Sequence, residues 1–457
     1  MIEPDDVARL LPDFLPRQRW YGGGEREILR IEMPGFDVLR GSLGDWPMMV
    51  WTLAEVAFAD GGTARFQVPV GLRPLQATER FLEGKGRQML GDLDTEAGPV
   101  LVYDALVDPD LSLEFFHIVA PGEEVERVRP LVLEQSNTSI VFDERLIMKV
   151  FRRVHVGPNP DVEVTEALAR VGFEHTAAPV GIWRWDGCDL AVVRQFLAPG
   201  TDGWQLALTS LRDMYDLRLH PAECGGDFAP ESERLGSITA SMHVALAEAF
   251  GVEPGNPRRW AQTMRDHLID VPNEPFDAAS VVAVYDKLAQ LDDAGAAIRI
   301  HGDYHLGQTM RTDEGWYVLD FEGEPILPLD IRRQPSSALR DVAGMLRSFH
   351  YATQVGLLER GGEADEELAD LAQVWEERVA QAFLEGYDSV EGVDHLLPGS
   401  AGARQQVLDA FVVAKAVYEI GYEISHRPDW AQIPLAGLTR QLGGGGAAGW
   451  AWAKEQA

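Results

Sequence analysis

The chain has 457 residues with Lys+Arg 40 and Asp+Glu 73, a formal charge of −33, and that balance excludes nucleic acid or an anionic membrane surface as a partner, because a polyanion binds through a basic footprint. Hydrophobic residues at 46% and charged residues at 25% exclude a disordered or fibrous chain and predict a globular protein with at least two lobes. Two cysteines, Cys188 and Cys224, are too few for a disulfide framework and read as small buried hydrophobes. The N-terminus opens with Glu3, Asp5 and Asp6 where a signal peptide would carry cations. No apolar run reaches the ~18 residues a membrane span needs, so a cytoplasmic protein is expected. An anionic substrate would have to find its own local cations or a metal on so acidic a chain.

A helix-like start over Asp5 to Leu15 leads into Gln18-Arg19-Trp20-Tyr21 and the turn Gly22-Gly23-Gly24. Strand-like runs follow at Met48 to Phe58 and Thr63 to Val70, with Asp60-Gly61 between them as a hairpin signal. Residues 1–90 are expected to form a small, mostly β cap subdomain, with Gly84, Gly86 and Gly91 marking the way out of it. Residues 91–200 read as an intermediate subdomain that completes the N-terminal lobe. Its predicted strands are Val100 to Tyr103, Leu113 to Val119, Ser139 to Phe142, Leu146 to Phe151 and Leu190 to Phe196, and one helix runs from Pro160-Asp161 to Val171, stopped by Gly172. From residue 201 to 457, apolar residues at three- and four-residue spacing predict helices at Leu235 to Phe250, Ala279 to Leu291, Ala338 to Tyr351, Glu366 to Tyr387 and Gln405 to Glu423. Gly443 to Gly446 reads as a loose tail. The fold class expected is α+β.

One β-like insertion interrupts the helical part and carries the strongest chemical signal. It contains His301-Gly302-Asp303-Tyr304-His305-Leu306-Gly307-Gln308 and, after a second apolar strand, Leu319-Asp320-Phe321-Glu322. Asp303 and Gln308 have the separation of base and metal-binding amide in a kinase catalytic loop, and Asp320-Phe321 stands where the metal-holding Asp opens the next loop. Phosphoryl transfer needs those three roles: a carboxylate to accept the hydroxyl proton and two oxygen ligands to hold Mg²⁺ against the phosphates of ATP. His301 and His305 read as residues that orient the loop.

A kinase of this kind also needs an upstream cover for the phosphates. Ser136-Asn137-Thr138 form a turn of small hydroxyl and amide residues before an apolar strand. Lys149 then sits inside a second apolar strand, where an ammonium needs an anionic partner. Phosphate oxygens and Glu163 or Glu166 on the following helix are the candidates, as in the kinase lysine–glutamate pair. The strand ending Arg194-Gln195-Phe196-Leu197 runs into Pro199-Gly200, the place where adenine meets linker backbone in a two-lobed kinase. Gln195 and Leu197 are therefore nucleotide-site candidates.

These residues resemble the aminoglycoside-phosphotransferase-like kinases, which share the protein-kinase fold, and within them the actinobacterial maltokinases. The wider resemblance rests on the His301 to Gln308 and Leu319 to Glu322 motifs. The narrower one rests on Arg17-Gln-Arg-Trp20-Tyr21, Asn159-Pro160-Asp161-Val-Glu163, Gly225-Gly226-Asp227-Phe228, Asp320-Phe-Glu-Gly-Glu324-Pro325, Arg340-Asp341-Val-Ala-Gly344 and Val417-Tyr418-Glu-Ile-Gly-Tyr422-Glu423. The resemblance implies a bilobal protein-kinase-like fold, with a β-rich N-terminal lobe, an extra N-terminal cap and a helical C-terminal lobe. It also implies Asp303 as base, Gln308 and Asp320 as Mg²⁺ ligands, and Lys149 on the nucleotide phosphates, steadied by Glu163. The implied reaction moves the γ-phosphate of ATP to the anomeric hydroxyl of maltose, yielding maltose 1-phosphate for α-glucan synthesis, and the implied partner is a trehalose/maltose-converting enzyme. His301-Gly-Asp303 departs from the His-Arg-Asp of protein kinases, which argues against a protein substrate.

For the sugar, the last long helix offers Lys415, Tyr418, Glu419, Tyr422, Glu423 and Arg427, with His305 from the catalytic loop. Residues 415, 418/419 and 422 share a helical face, although a buried aromatic stripe would give Tyr418 and Tyr422 the same spacing. Arg340-Asp341 reads as a bracing ion pair. Competing readings are a kinase of the same fold acting on glucosamine or an aminoglycoside, a metal-dependent hydrolase using His301, Asp303 and His305, and an inactive binding module.

Overall fold

Apolar residues fill almost every position of the run Met48 to Phe58, which is what a strand buried on both faces requires. The computed structural model describes residues 2–443 apart from 23, 25, 77–81, 132–136, 269–270, 272–274, 325–326 and 361–365; Ser136 and the tail glycines 444–446 lie outside the described residues. The chain divides into two units, residues 1–163 with 177–198, and residues 164–176 with 199–457.

The first unit begins with two short helices, α1 (Pro4–Ala8) and α2 (Leu11–Phe14), where the sequence suggested one. Six strands follow: β1 (Ile28–Ser42), β2 (Asp45–Phe58), β3 (Thr63–Gln67), β4 (Val70–Pro74), β5 (Met89–Thr95) and β6 (Gly98–Asp104). Next come α3 (Pro109–Val119), β7 (Val128–Pro130), β8 (Asn137–Phe142), β9 (Leu146–Phe151), β10 (Arg153–Val154), the start of α4 (Pro160–Arg170), β11 (Pro179–Trp185) and β12 (Cys188–Gln195). They build two sheets. One is seven-stranded in the order β10-β3-β2-β4-β6-β5 with β1 on β2, and the other is five-stranded in the order β11-β12-β9-β8-β7.

The expected boundary at residue 90 falls inside β5, because the cap sheet needs β5 and β6 beside β4. The stretch 113–119, expected as a strand, is the helix α3. Its run of apolar residues, Phe115, Phe116, Ile118 and Val119, is also what a buried strand would carry, but the buried set Leu111, Ser112, Phe115, Phe116 and Val119 has helical spacing. Asp108 caps its N-terminus by accepting Asp110 N–H at 3.0 Å, with Pro109 in the first turn.

Strand β2 lies between two cores, with Met49, Trp51 and Leu53 in one and Val50, Ala54 and Val56 in the other. Gln67, fully buried at the end of β3, joins the sheets: its Nε2 donates to Phe151 O (3.0 Å) and Leu190 O (2.9 Å), and its Oε1 accepts Trp51 Nε1–H (2.9 Å). Buried Arg152 adds a second tie, with Nη2 2.6 Å from Asp104 Oδ2, Nε 2.8 Å from Thr138 Oγ1 and its guanidinium over the Trp20 ring.

The second unit opens with the rest of α4 and then holds β13 (Gly200–Asp202), α5 (Gly203–Leu217), α6 (Ala229–Phe250), β14 (Val252–Pro254), α7 (Pro257–Leu268) and α8 (Ala278–Ala289). The short strands β15 (Ala296–Ile298), β16 (Thr309–Thr312) and β17 (Gly315–Val318) precede α9 (Leu329–Arg332), α10 (Leu339–Leu358), α11 (Glu366–Asp388), α12 (Ala401–His426) and α13 (Gln432–Leu442). All five helices expected from periodicity are present. Helices α6 and α11 approach so closely that a Cβ on Gly386 would lie 1.9 Å from Glu233 O, so only glycine fits there. Helix α13 is fastened by Arg440 to Glu376, which His350 Nδ1 also meets at 3.0 Å. No described helix is long and apolar enough to cross a membrane.

Replacing Gln67 by Leu keeps the volume but orphans two buried carbonyls and an indole N–H. At roughly 1 kcal/mol for each lost bond, urea unfolding is expected to show a loss of about 2–4 kcal/mol with an unchanged slope.

Candidate active site

The catalytic-type loop leaves β15 and is held from below by one carboxylate. Asp341, buried in the first turn of α10, accepts His301 N–H at 2.8 Å on Oδ2 and Gly302 N–H at 2.9 Å on Oδ1, and His243 Nε2 approaches Oδ2 at 3.2 Å. Burial pushes its pKa up, but His243 and the Gly302 N–H outweigh that and hold it below the ordinary carboxylate value. Asp341 and Arg340 do not form the bracing pair expected from sequence: Arg340 turns instead to Glu324, 3.5 Å away.

His301 connects the two loops. Its Nδ1 accepts Asp303 N–H (3.3 Å) and its Nε2–H donates to Leu319 O (2.8 Å), which assigns the neutral Nε2–H tautomer from its partners. Its ring packs against Tyr304 and Phe321, with centroids 5.3 and 4.9 Å away. Leu319 N–H donates to Gln308 O at 2.9 Å, so Gln308 and Asp320 are brought to adjacent positions by backbone. Asp320 has φ +58°, a left-handed conformation uncommon outside glycine and frequent where a side chain must be aimed. Glu322, not singled out as a ligand from sequence, offers an oxygen within 4.8 Å of one from Asp320. With both His301 nitrogens on backbone and His305 Nδ1 accepting Gly307 N–H (3.1 Å), these histidines brace the loop and do not form a zinc set.

Asp303 is half-buried, with Lys415 Nζ 3.5 Å from Oδ1 and His305 Nε2 4.0 Å from Oδ2. Burial would raise its pKa; the Lys415 ammonium, through its charge and its hydrogen bond, overrides it and keeps the carboxyl below its ordinary value. Lys415 stays protonated because Asp303, Glu324 and Glu419 overcome the opposite push of burial. The same desolvation lowers the pKa of His305.

Helix α12 divides the sugar-site candidates. Lys415 lies over the Tyr418 ring at 4.9 Å, and the charges of Glu324 and Asp303 both reach the Tyr418 hydroxyl, so Lys415 and Tyr418 stand beside Asp303. Tyr418 stacks on Tyr422, which is 41% exposed, so this pair is not a buried core stripe. Glu419 and Glu423 both have protein partners. Buried Arg347 grips Glu419 through Nε (3.0 Å) and Nη2 (2.6 Å), while Glu423 accepts from Tyr351 (3.1 Å) and Arg427 (2.7 Å).

In the first unit, β8 pairs Ser139 with Lys149 of β9, and β9 pairs Lys149 with Val192 of β12. Asp161, in the first turn of α4, approaches Lys149 at 3.9 Å. Glu163 lies two residues further along. Arg194 also binds Asp161, a pairing no sequence signal marked. Asn137 and Thr138 begin β8, and the Thr138 hydroxyl accepts from Arg152. Gln195 ends β12 exposed, and half-buried Leu197 lies between Phe196, whose N–H donates to Arg145 O, and Ala198.

A model of the phosphotransferase enzyme family matches residues 145–374. The chain belongs to that family. A maltokinase N-terminal cap domain model matches residues 14–108, and the maltokinase-type resemblance read from sequence stands on both. The chain is 30% identical over 360 residues to a glucosamine kinase of Streptacidiphilus jiangxiensis, covering 74% of this chain and 78% of that protein. To a glucosamine kinase of Mycolicibacterium smegmatis it is 28% identical over 333 residues, covering 69% and 79%. A solved glucosamine kinase matches with TM-score 0.70 at 24% identity over 95% of this chain and 99% of that one. Another, in complex with glucosamine, ADP and inorganic phosphate, matches with TM-score 0.67 at 23% identity over 95% and 99%. The α+β kinase-like fold of the family is therefore the fold of this chain.

Asp341→Ala removes the shared acceptor of two loop N–H groups and is expected to cost about 3 kcal/mol in denaturant unfolding together with most activity. Lys415→Met removes the charge that keeps the Asp303 carboxyl acidic, so burial prevails and its pKa rises. The acid limb of the kcat/KM profile is then expected to move to higher pH, and an unmoved limb would contradict the Lys415 assignment.

Proposed function

We propose that this phosphotransferase is a sugar kinase that moves the γ-phosphoryl group of ATP to the anomeric hydroxyl of maltose, giving maltose 1-phosphate and ADP. The observation that carries the reading is Asp303, held ionised by Lys415 in a loop that backbone bonds register against Gln308 and Asp320. Asp303 accepts the proton of the attacking hydroxyl, and Lys415 and Tyr418 orient the sugar beside it. Lys149 contacts nucleotide phosphate.

The amide of Gln308 and the carboxylates of Asp320 and Glu322 are hard oxygen donors, the chemistry Mg²⁺ prefers. They would hold the ion, which when bound supplies charge neutralisation to the phosphates. A neutral acceptor agrees with the local electrostatics. Each acid around the α12 face has a cation: Asp303 has Lys415, Glu324 has Arg340, Glu419 has Arg347 and Glu423 has Arg427. The cap match supports maltose in particular. A second reading, glucosamine as acceptor, is supported by the 30% identity to a protein of that activity.

An acceptor screen with ATP and Mg²⁺ separates the two: maltose is expected to give the highest kcat/KM, and faster turnover of glucosamine would reassign the acceptor while leaving the kinase reading in place. Asp303→Asn is expected to lower kcat by 10²-fold or more with ATP affinity nearly unchanged. Full activity in that variant would overturn the mechanism. Chelation of divalent ions is expected to abolish turnover, and Asp320→Asn to raise the Mg²⁺ concentration needed for half-maximal rate.

A further inference from the structure

Lys415 of α12 stands among three acids and bonds to one of them. Its Nζ lies 3.5 Å from Asp303 Oδ1, and the other charged groups that reach it are Glu324, Glu419 and Arg340. Those two further acids are each engaged by an arginine of α10. Glu324 Oε2 lies 3.5 Å from Arg340 Nη2, while Glu419 Oε2 accepts from both Arg347 Nε (3.0 Å) and Arg347 Nη2 (2.6 Å). The second grip is the closer one, and the Arg347 side chain that makes it is 3% exposed.

Glu419 follows Lys415 by four residues, the spacing at which two side chains meet on one face of a helix. A partly buried carboxylate stripped of its partner carries a desolvation cost and draws in a cation within reach. The cation on its own helical face is Lys415. Turning to Glu419 would take that ammonium from Asp303.

Helix α13 packs on Arg347 as well. A Cβ on Gly437 would collide with Arg347 Nη1 and lie 2.9 Å from His350 Nε2, so α13 meets these two α10 side chains with no room to spare. The helix is held there at several points: Arg440 pairs with Glu376, Gln441 Nε2 donates to Asp409 Oδ1 at 3.1 Å, and Ile433 O lies 3.4 Å from His350 Nε2.

We propose that Arg347 is a positioning residue for the acceptor site: by holding Glu419 it leaves the Lys415 ammonium on Asp303, and α13, seated on Arg347 at Gly437, keeps that guanidinium in place. This rests on the reading that Lys415 and Asp303 serve the acceptor hydroxyl. A helix that carries none of the candidate site residues thus takes part in arranging the site.

The test is a double-mutant cycle on the full chain with Arg347→Gln, Glu419→Gln and the double variant, together with Gly437→Ala and Lys415→Met, measuring kcat and KM for the acceptor sugar, KM for ATP, ADP affinity by calorimetry and melting temperature. Arg347→Gln is expected to lower kcat/KM for the sugar about tenfold with KM for ATP and ADP affinity unchanged, the size of one good charge-assisted contact. The double variant is expected to return to within about threefold of the parent, because no second acid then competes for Lys415, and Glu419→Gln alone is expected to stay in that range. Gly437→Ala keeps every charge while pressing on Arg347. It is expected to lower kcat/KM for the sugar about threefold in the parent and not in the Glu419→Gln background, a comparison that stands even if Arg347→Gln folds poorly. No rescue in the double variant would overturn the proposal and mark Arg347 as a support of the fold. A loss in Glu419→Gln as large as in Arg347→Gln would also overturn it, by making Glu419 a sugar ligand. If Lys415→Met keeps full kcat/KM for the sugar, the reading of the acceptor site fails instead.

Discussion

Burying the Asp341 carboxylate inside the second unit forfeits several kcal/mol of hydration. Two backbone N–H donors from His301 and Gly302 and a histidine from α6 offset that loss. The consequence is positional: the catalytic-type loop cannot shift without stranding an anion among apolar neighbours. Everything chemical in this unit hangs from that anchor. His301, placed by it, passes the position on to Leu319, and Leu319 to Gln308, so base and metal-ligand candidates are registered by backbone bonds and not by flexible side chains.

A formal charge of −33 might be thought hostile to nucleotide chemistry, yet the charges that matter are balanced in small groups. The acids near Asp303 are each answered by a cation, and the Arg347–Glu419 pair ties α10 to α12. In the first unit, Arg194 and Lys149 stand against Asp161. The net acidity therefore lies on the solvated exterior, where it favours solubility and carries little chemical information.

The catalytic loop motifs, the two apolar strands around Lys149 and the long helices were legible because each is local: spacing within a few residues specifies the structure. Residues 113–119 differ from the expected strand because a short apolar run suits a buried strand and a buried helix alike, and only the cap at Asp108 with Pro109 breaks the tie. The cap boundary was misplaced because strand pairing is non-local; nothing near residue 90 announces that β5 must lie beside β6. Asp341, Asp161 and Arg194 were invisible as a set for the same reason. Charged residues of that kind are common, and what distinguishes these is burial against partners 33 to 98 positions away. Glu419 and Glu423 share a helical face with Lys415, and periodicity does not reveal that they also bond to Arg347 and Tyr351.

The pairing of β10 with β3 has a bearing on how the chain is made. The cap sheet draws its edge strand from Arg153 and Val154, beyond the whole of α3 and the β8–β9 hairpin. During synthesis the edge of β3 thus stays open, with its hydrogen-bonding groups bare, until the ribosome has passed Val154. Gln67 likewise finds Leu190 only later still. The cap sheet therefore cannot be completed until the strand that bears Lys149 has been laid down. An unpaired edge is where a nascent chain is most exposed to mispairing, and the charged residue Arg65, which faces Val154 across that edge, is a guard against it.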